Sequence, residues 1–281
     1  MIVLSLFDGM SCGRLALERA GIEVESYYAS EIDKYAVTVS KKNWPDIIQI
    51  GDVTQVSYKD GVLYTQFGSY QTEIDMVIGG SPCQSFSVAG NGKGFNGSSG
   101  LFYEWLRILR EVSPKYFLLE NVCMKKEWEN VITQEVGVAP IMINSALVSA
   151  QNRKRLYWTN IEGITQPQDR GILLSALLGD VEYKTPLPYL LGSYCGRTRL
   201  SMVSSIDKKA ACLTASMYKG QIPSYVKNSQ GLVHKLTPIE CERLQTLPDN
   251  YTEGVSNSQR YKMIGNGWTV DVIAHIFSFI K

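Results

Sequence analysis

Along the first 160 residues, unbroken apolar runs alternate with stretches whose apolar positions recur every three or four residues. Residues 2–7 (IVLSLF) are apolar almost throughout and predict a first strand. Residues 13–21 (GRLALERAG) predict a helix closed by a glycine suited to the C′ position. The pattern repeats: a strand over 25–31, a helix over 34–43, and further strands over 46–52 and 75–80. Positions 101, 102, 105, 106, 108, 109 and 112 are apolar, the spacing of one face of a helix. Residues 115–121 predict a fifth strand; 140–148 and 154–161 predict two more, as an antiparallel pair. Strands alternating with helices imply an α/β fold, a doubly wound, mostly parallel sheet. Such sheets bind ligands at the carboxyl ends of their strands. From about residue 162 the periodicity decays into short pieces rich in Pro, Gly, Ser and Tyr, and helical patterning returns over 237–247 and 269–280. The expected organisation is an α/β domain over 1–161, a small irregular insert over 162–236, and a C-terminal return over 237–281 that completes the first domain.

Composition adds exclusions. The 281 residues are 44% hydrophobic and 20% charged, as expected for a globular chain with a sizeable core. No apolar run reaches the ~18 residues of a membrane helix, and the start lacks the basic region of a signal peptide. A cytoplasmic protein without membrane contact is expected. Cys12, Cys83, Cys123, Cys195, Cys212 and Cys241 are scattered, and the two histidines are His234 and His275. Neither a metal site nor a disulfide framework is expected. The net charge of +1 hides an asymmetry: residues 1–150 hold 12 basic and 17 acidic side chains, and residues 151–235 hold 12 and 5. A surplus of seven positive charges in one segment points to a polyanion contact there, with a solvated basic face as the bland alternative.

Candidate chemistry sits where strands end. FDGMSCG (residues 7–13) follows a strand and opens a helix, so its backbone N–H groups can face a ligand. Its glycines, at 9 and 13, do not make the dinucleotide fingerprint. Glu31 closes the second strand and suits a ribose diol. Asp52 closes the third and could accept from an adenine amino group. Together they suggest an adenosine-containing cofactor; a tight turn with incidental carboxylates is the alternative for any one of them. SPCQ places Cys83 after a proline at a strand tip, where loop N–H groups can lower a thiol pKa. LLENV places Glu120 at a neighbouring strand end. QNRKRLYW puts Arg153 and Arg155 in alternation on one strand face; for Arg153, structural pairing and substrate contact stay equally open. A nucleophile, a carboxyl and a guanidinium beside an adenosyl site suit methyl transfer to cytosine carbon 5. The thiolate adds to carbon 6, a protonated carboxyl acts at N3, and a cation acts at O2.

Nine ordered blocks carry a resemblance: FDGMSCG, SEID, GDVTQV, GGSPCQSFS, GLFYEWLRILR, LLENV, QNRKRLYW, LTPIECERLQTLPDNY and YKMIGNGWTVDVI. The chain resembles the C5-cytosine DNA methyltransferases, of bacterial or phage type, with features similar to the animal de novo DNA methyltransferases. The resemblance implies the class I S-adenosylmethionine-dependent methyltransferase fold and a target-recognition role for residues 162–236. It implies DNA (cytosine-5-)-methyltransferase activity on a cytosine flipped out of duplex DNA. S-adenosyl-L-methionine would be the cofactor, S-adenosyl-L-homocysteine the product, and double-stranded DNA the partner of a monomer, or of a dimer. A tRNA cytosine-5 methyltransferase and a catalytically silent DNA-binding regulator are the alternatives. The tRNA branch usually carries a Cys-Phe-Thr signature, absent here, and a silent paralogue would lack part of the catalytic set.

By similarity, Cys83 is the nucleophile, Glu120 the N3 partner and Arg155 the O2 partner, with Arg153 in support. The cofactor would meet Phe7, Asp8, Gly9, Ser11, Cys12, Gly13, Glu31, Ile32, Asp52, Val53, Gly79, Ser81, Pro82, Leu101, Asn266 and Trp268. GNGW departs from the Gly-Asn-Ser of many bacterial members. The DNA would meet Gln84, Ser85, Ser87 and Val88 in a closing loop. In the insert it would meet Arg197, Arg199, Lys208, Lys209, Thr214, Ser216 and Lys219, with residues 213–220 as the base-reading loop.

Overall fold

The computed structural model describes residues 1–82, 100–194, 197–220 and 222–281. Contacts divide the chain into two units: Met1–Ile143 with Lys154–Gln166 and Ile273–Lys281, and Asn144–Arg153 with Pro167–Val272.

The first unit begins β1 (Ile2–Leu6), α1 (Cys12–Arg19), β2 (Ser26–Ser30), α2 (Lys34–Asn43), β3 (Ile48–Gln49). A meander follows: β4 (Ser57–Lys59), β5 (Val62–Thr65) and β6 (Gly68–Gln71). Then come β7 (Met76–Gly79), α3 (Leu101–Val112), β8 (Tyr116–Val122), α4 (Lys126–Val136), β9 (Ile141–Asn144) and β10 (Lys154–Thr159). The main sheet has seven strands in the order β3-β2-β1-β7-β8-β10-β9. β1 pairs in parallel with β2 and β7, and β7 with β8, while β10 runs antiparallel to β8. The winding reverses between β1 and β7, so their carboxyl ends open the crevice where such sheets hold ligands. Leu4, Leu6, Val77 and Leu119 of the strands bury against Phe102 and Trp105 of α3 and Trp158 of β10. Each such burial stabilises by roughly 1.5–3 kcal/mol before entropy is counted.

The sequence pattern anticipates the main sheet strands and α1–α3, but three features differ. The third strand shrinks to Ile48–Gln49, because Gly51 at φ 80° turns the chain out of the sheet. β4–β6, an antiparallel sheet of its own, and α4 lie where no element was expected.

The second unit is built from short pieces. α5 (Pro188–Leu191), β11 (Ser193–Tyr194) and β12 (Arg197–Thr198) precede a three-stranded sheet of β13 (Ser204–Ser205), β14 (Tyr225–Lys227) and β15 (Val233–Lys235). Leu190, Val203, Tyr225 and Val233 form its small core. α6 (Pro238–Leu244), α7 (Asn257–Asn266) and α8 (Val270–Phe277) follow; α8 runs from the second unit into the first. α6 opens with a capping box. Thr237 Oγ1 accepts from Glu240 N (3.2 Å), and Glu240 Oε2 accepts from Thr237 N (2.7 Å).

Candidate functional site

In the first unit, β1 runs into a turn where Phe7, Gly9 and Ser11 adopt left-handed backbone (φ 58°, 62° and 64°). For Phe7 and Ser11 this conformation costs about 1–2 kcal/mol each, so neighbouring contacts must hold it. Asp8 N donates to Ser30 O (3.1 Å), and Gly9 N donates to Glu31 Oε2 (2.8 Å). The Asp8 carboxylate accepts from the hydroxyls of Ser5, Ser11 and Tyr27. Burial pushes the Asp8 carboxyl up to about 6, although the three hydroxyls favour the charged form. Cys12 and Gly13 lie buried at the start of α1.

Glu31 follows β2. Besides Gly9 N, its carboxylate accepts from Ile32 N (2.8 Å) and Asp33 N (2.7 Å), so three backbone donors fix it. Asp52 lies three residues beyond β3, where it caps a short 3-10 turn over Val53–Gln55 and accepts from Thr54 N (2.9 Å). Val53 is buried in the core. Glu31, Ile32, Lys34, Gly51, Asp52, Gln66 and Phe67 line one cleft of about 580 Å³, within the range of small-molecule sites. Ile32 is 76% exposed and Phe67 64%. Two carboxylates and two bare apolar side chains suit a flat ring joined to a diol. Gln66 and Phe67 sit between β5 and β6 and escaped the sequence reading. The Asp-Gly pair at 60–61 could have revealed the hairpin: both have positive φ (50° and 77°), as a two-residue turn between β4 and β5 requires.

β7 ends at Gly79, where an added Cβ would lie 2.7 Å from Leu6 O and 2.9 Å from the Trp105 ring. Only glycine lets β1 and α3 approach this closely. Ser81 is buried, and Asn121 Nδ2 donates to its Oγ (3.2 Å), tying the tip at Ser81 and Pro82 to β8. Leu101 opens α3. Cys83, Gln84, Ser85, Ser87 and Val88 lie outside the described residues.

β8 also carries Glu120. β10 runs antiparallel beside it, with Tyr157 opposite Glu120 and Arg155 opposite Val122. Arg155 Nε lies 2.9 Å from Glu120 Oε1, with the two side chains 14% and 11% exposed. Arg155 Nη1 donates to Lys154 O (2.8 Å). For a pair so little hydrated, good geometry is needed to offset the desolvation of both charges.

Arg153 belongs to the second unit and is buried. Its guanidinium donates to Leu213 O (3.1 Å), Gly265 O (3.1 Å) and Gly267 O (2.9 Å). Of the two roles left open for it, structural pairing is what these bonds show. Gly265 supports the same junction, since a Cβ there would lie 2.2–2.4 Å from the Thr214–Ala215 backbone. Thr214 and Ser216 hydroxyls are 3.2 Å apart. Asn266 is exposed at the end of α7, and Trp268 is half-buried beyond it. Lys208 and Lys219 are exposed, and Arg199 is half-buried. Lys209 is held differently, donating to Ala146 O (2.7 Å) and Ser149 O (3.0 Å). Arg197 is placed by its backbone in β12, paired with Tyr194.

Among the described residues, no three or more His, Cys, Asp or Glu side chains are grouped to hold a metal ion. No described helix is long and apolar enough to cross a membrane.

Comparison with known proteins gives a consistent result. The profile of the C-5 cytosine-specific DNA methylases matches residues 1–170 and 196–281. The chain is 30% identical over 317 residues to the type II methyltransferase M.HhaI of Haemophilus parahaemolyticus, covering 97% of this chain and 92% of that one. It is 29% identical over 306 residues to the type II methyltransferase M1.ScrFI of Lactococcus lactis subsp. cremoris, covering 96% and 75%. In structure it is similar to the Entamoeba histolytica methyltransferase EhMeth, with a TM-score of 0.78 at 18% identity over 99% of this chain and 97% of that one. The shared architecture is the class I methyltransferase fold.

Proposed function

This chain belongs to the C-5 cytosine-specific DNA methylase family, and from that premise we propose that it methylates carbon 5 of a cytosine flipped out of double-stranded DNA, with Cys83 as the nucleophile. The observation that carries the residue assignment is the Glu120–Arg155 pair, 2.9 Å apart on adjacent antiparallel strands. It supplies one acid and one fixed cation to a pyrimidine edge. Asn121, next in the chain to Glu120, bonds to Ser81, two residues before Cys83.

The Cys83 thiolate adds to carbon 6, Glu120 gives a proton to N3, and Arg155 stabilises the charge that builds at O2. Carbon 5 becomes nucleophilic and takes the methyl group. Water then takes the carbon 5 proton, the carbon 6–sulfur bond breaks by β-elimination, N3 returns its proton to Glu120, and the thiolate is restored. S-adenosylmethionine would supply the electrophilic methyl group and leave as S-adenosylhomocysteine. The cleft supports this for the adenosyl part: Glu31 would take the ribose diol, Asp52 the adenine amine, and Ile32 would offer an apolar face. Lys208, Lys219 and Arg199 of the second unit are assigned to the DNA. Phosphate contacts of this kind give affinity without sequence choice.

Tritium transfer from labelled S-adenosylmethionine to varied DNA duplexes tests this reading. Cys83→Ala is expected to abolish transfer while DNA binding persists. Duplexes carrying 5-fluorocytosine are expected to trap a crosslink at Cys83. A crosslink at another residue, or label appearing on tRNA and not on DNA, would overturn the assignment.

A further inference from the structure

We propose that the tip of the β5–β6 hairpin is a wall of the cofactor cleft, with Phe67 packing on the purine ring together with Ile32 and Gln66 bracing the floor at Gly51 and Asp52. Phe67 takes this role only on the S-adenosylmethionine reading made above. It extends that reading to two residues outside every strand-end motif.

Ile32 and Phe67 are the two most exposed of the described large apolar side chains, at 76% and 64%, and both line this one cleft. Leaving that area in water is unfavourable by about 25 cal/mol per Å², and covering it with a flat ring recovers the loss. The turn gives no local reason for its composition. Thr65 pairs with Gly68 around a two-residue loop, and neither Gln66 nor Phe67 has positive φ, so the backbone there calls for no particular side chain. Thr65 closes the loop by itself, accepting from Phe67 N (3.1 Å) and donating to Gly68 O (2.9 Å). Neither the Gln66 nor the Phe67 side chain is needed for that closure.

The platform beneath the tip is firm. Leu63 is fully buried, and the Tyr70 ring packs on Tyr28 with centroids 5.2 Å apart. Tyr58 N donates to Glu111 of α3 (2.8 Å), and Arg107 of α3 donates to Val56 O (2.8 Å). The Gln66 amide occupies the space a Gly51 Cβ would need, 2.4 Å away, and its Oε1 faces Asp52 N at 3.4 Å. Gly51 thus makes room for Gln66, and Gln66 sits against the residue assigned to the adenine amine.

Calorimetric titration of the full chain with S-adenosylhomocysteine tests the proposal. Phe67→Ala is expected to raise Kd by about tenfold, the scale of one lost ring stack. Phe67→Tyr is expected to stay within about twofold, and Gln66→Ala to weaken binding about threefold. In turnover, Phe67→Ala is expected to raise the KM for S-adenosylmethionine and leave kcat at saturation unchanged. Wild-type binding with Phe67→Ala unchanged would overturn the hairpin's role and leave the cofactor assignment standing. Equal weakening by Phe67→Tyr, or a loss that tracks a fall in the ligand-free unfolding midpoint, would overturn it too. A wild-type protein that does not bind the compound would overturn both.

Discussion

Arg153 and Arg155 stand two positions apart, yet they serve different partners. Alternation along a strand would place both on one face, but β10 begins only at Lys154, so Arg153 lies before the strand and its guanidinium enters a cluster of backbone carbonyls. Arg153→Lys cannot reproduce the planar fork. It is expected to cost about 1–3 kcal/mol of stability in urea unfolding, with the loss centred on residues 212–219 in hydrogen exchange. Arg155 faces Glu120 instead. Glu120→Gln removes the proton donor and is expected to slow methyl transfer by about 10²–10⁴-fold, measured at saturating DNA and cofactor. Asp8 makes a different kind of prediction. Burial pushes its folded carboxyl up to about 6 from the ordinary 3.8, so the folded state holds its proton over that interval and the unfolded chain has lost it. Stability from this group is fully present below about pH 4 and falls as pH rises to about 6, by no more than about 3 kcal/mol. Asp8→Asn is expected to flatten that slope in urea midpoints measured from pH 4 to 7.

At the scale of elements, periodicity was strong where packing is one-sided and weak elsewhere. α3 presents Phe102, Trp105, Leu106 and Ile108 to the core, and its stripe was readable. α4 buries only Ile132 among its eleven residues, so it offered no stripe to read. α7 is mostly polar. It is held from outside by Arg260, which pairs with the buried Glu242 (2.9 Å), a contact that sequence spacing does not reveal. Glu120 and Arg155, which lie 2.9 Å apart, were legible as candidates because LLENV and QNRKRLYW are short contiguous motifs. Phe67 was not, because its place in the cleft depends on a hairpin that returns beside Gly51 in space. α6 was legible from its helical patterning over 237–247, and it opens on the Thr237–Glu240 capping box; Thr237→Ala is expected to cost about 1 kcal/mol in urea unfolding. Gly265→Ala must displace the Thr214–Ala215 backbone. A destabilisation of about 1–3 kcal/mol is expected, with faster hydrogen exchange across residues 213–220.

For the molecule as a whole, charge is distributed by segment: residues 151–235 hold 12 basic and 5 acidic side chains, against 12 and 17 over residues 1–150. DNA affinity should therefore fall steeply with salt. Lys208→Ala and Lys219→Ala are each expected to reduce the slope of log K against log salt by about one, in fluorescence anisotropy on a duplex. The two units interleave along the chain. The first closes only with Ile273–Lys281, where the Tyr116 hydroxyl donates to Lys281 O (2.6 Å) and His275 bonds to Thr165 O (2.7 Å). During translation, then, the whole basic segment must be made before the side chains of Ile273–Lys281 exist to meet their partners in the first unit.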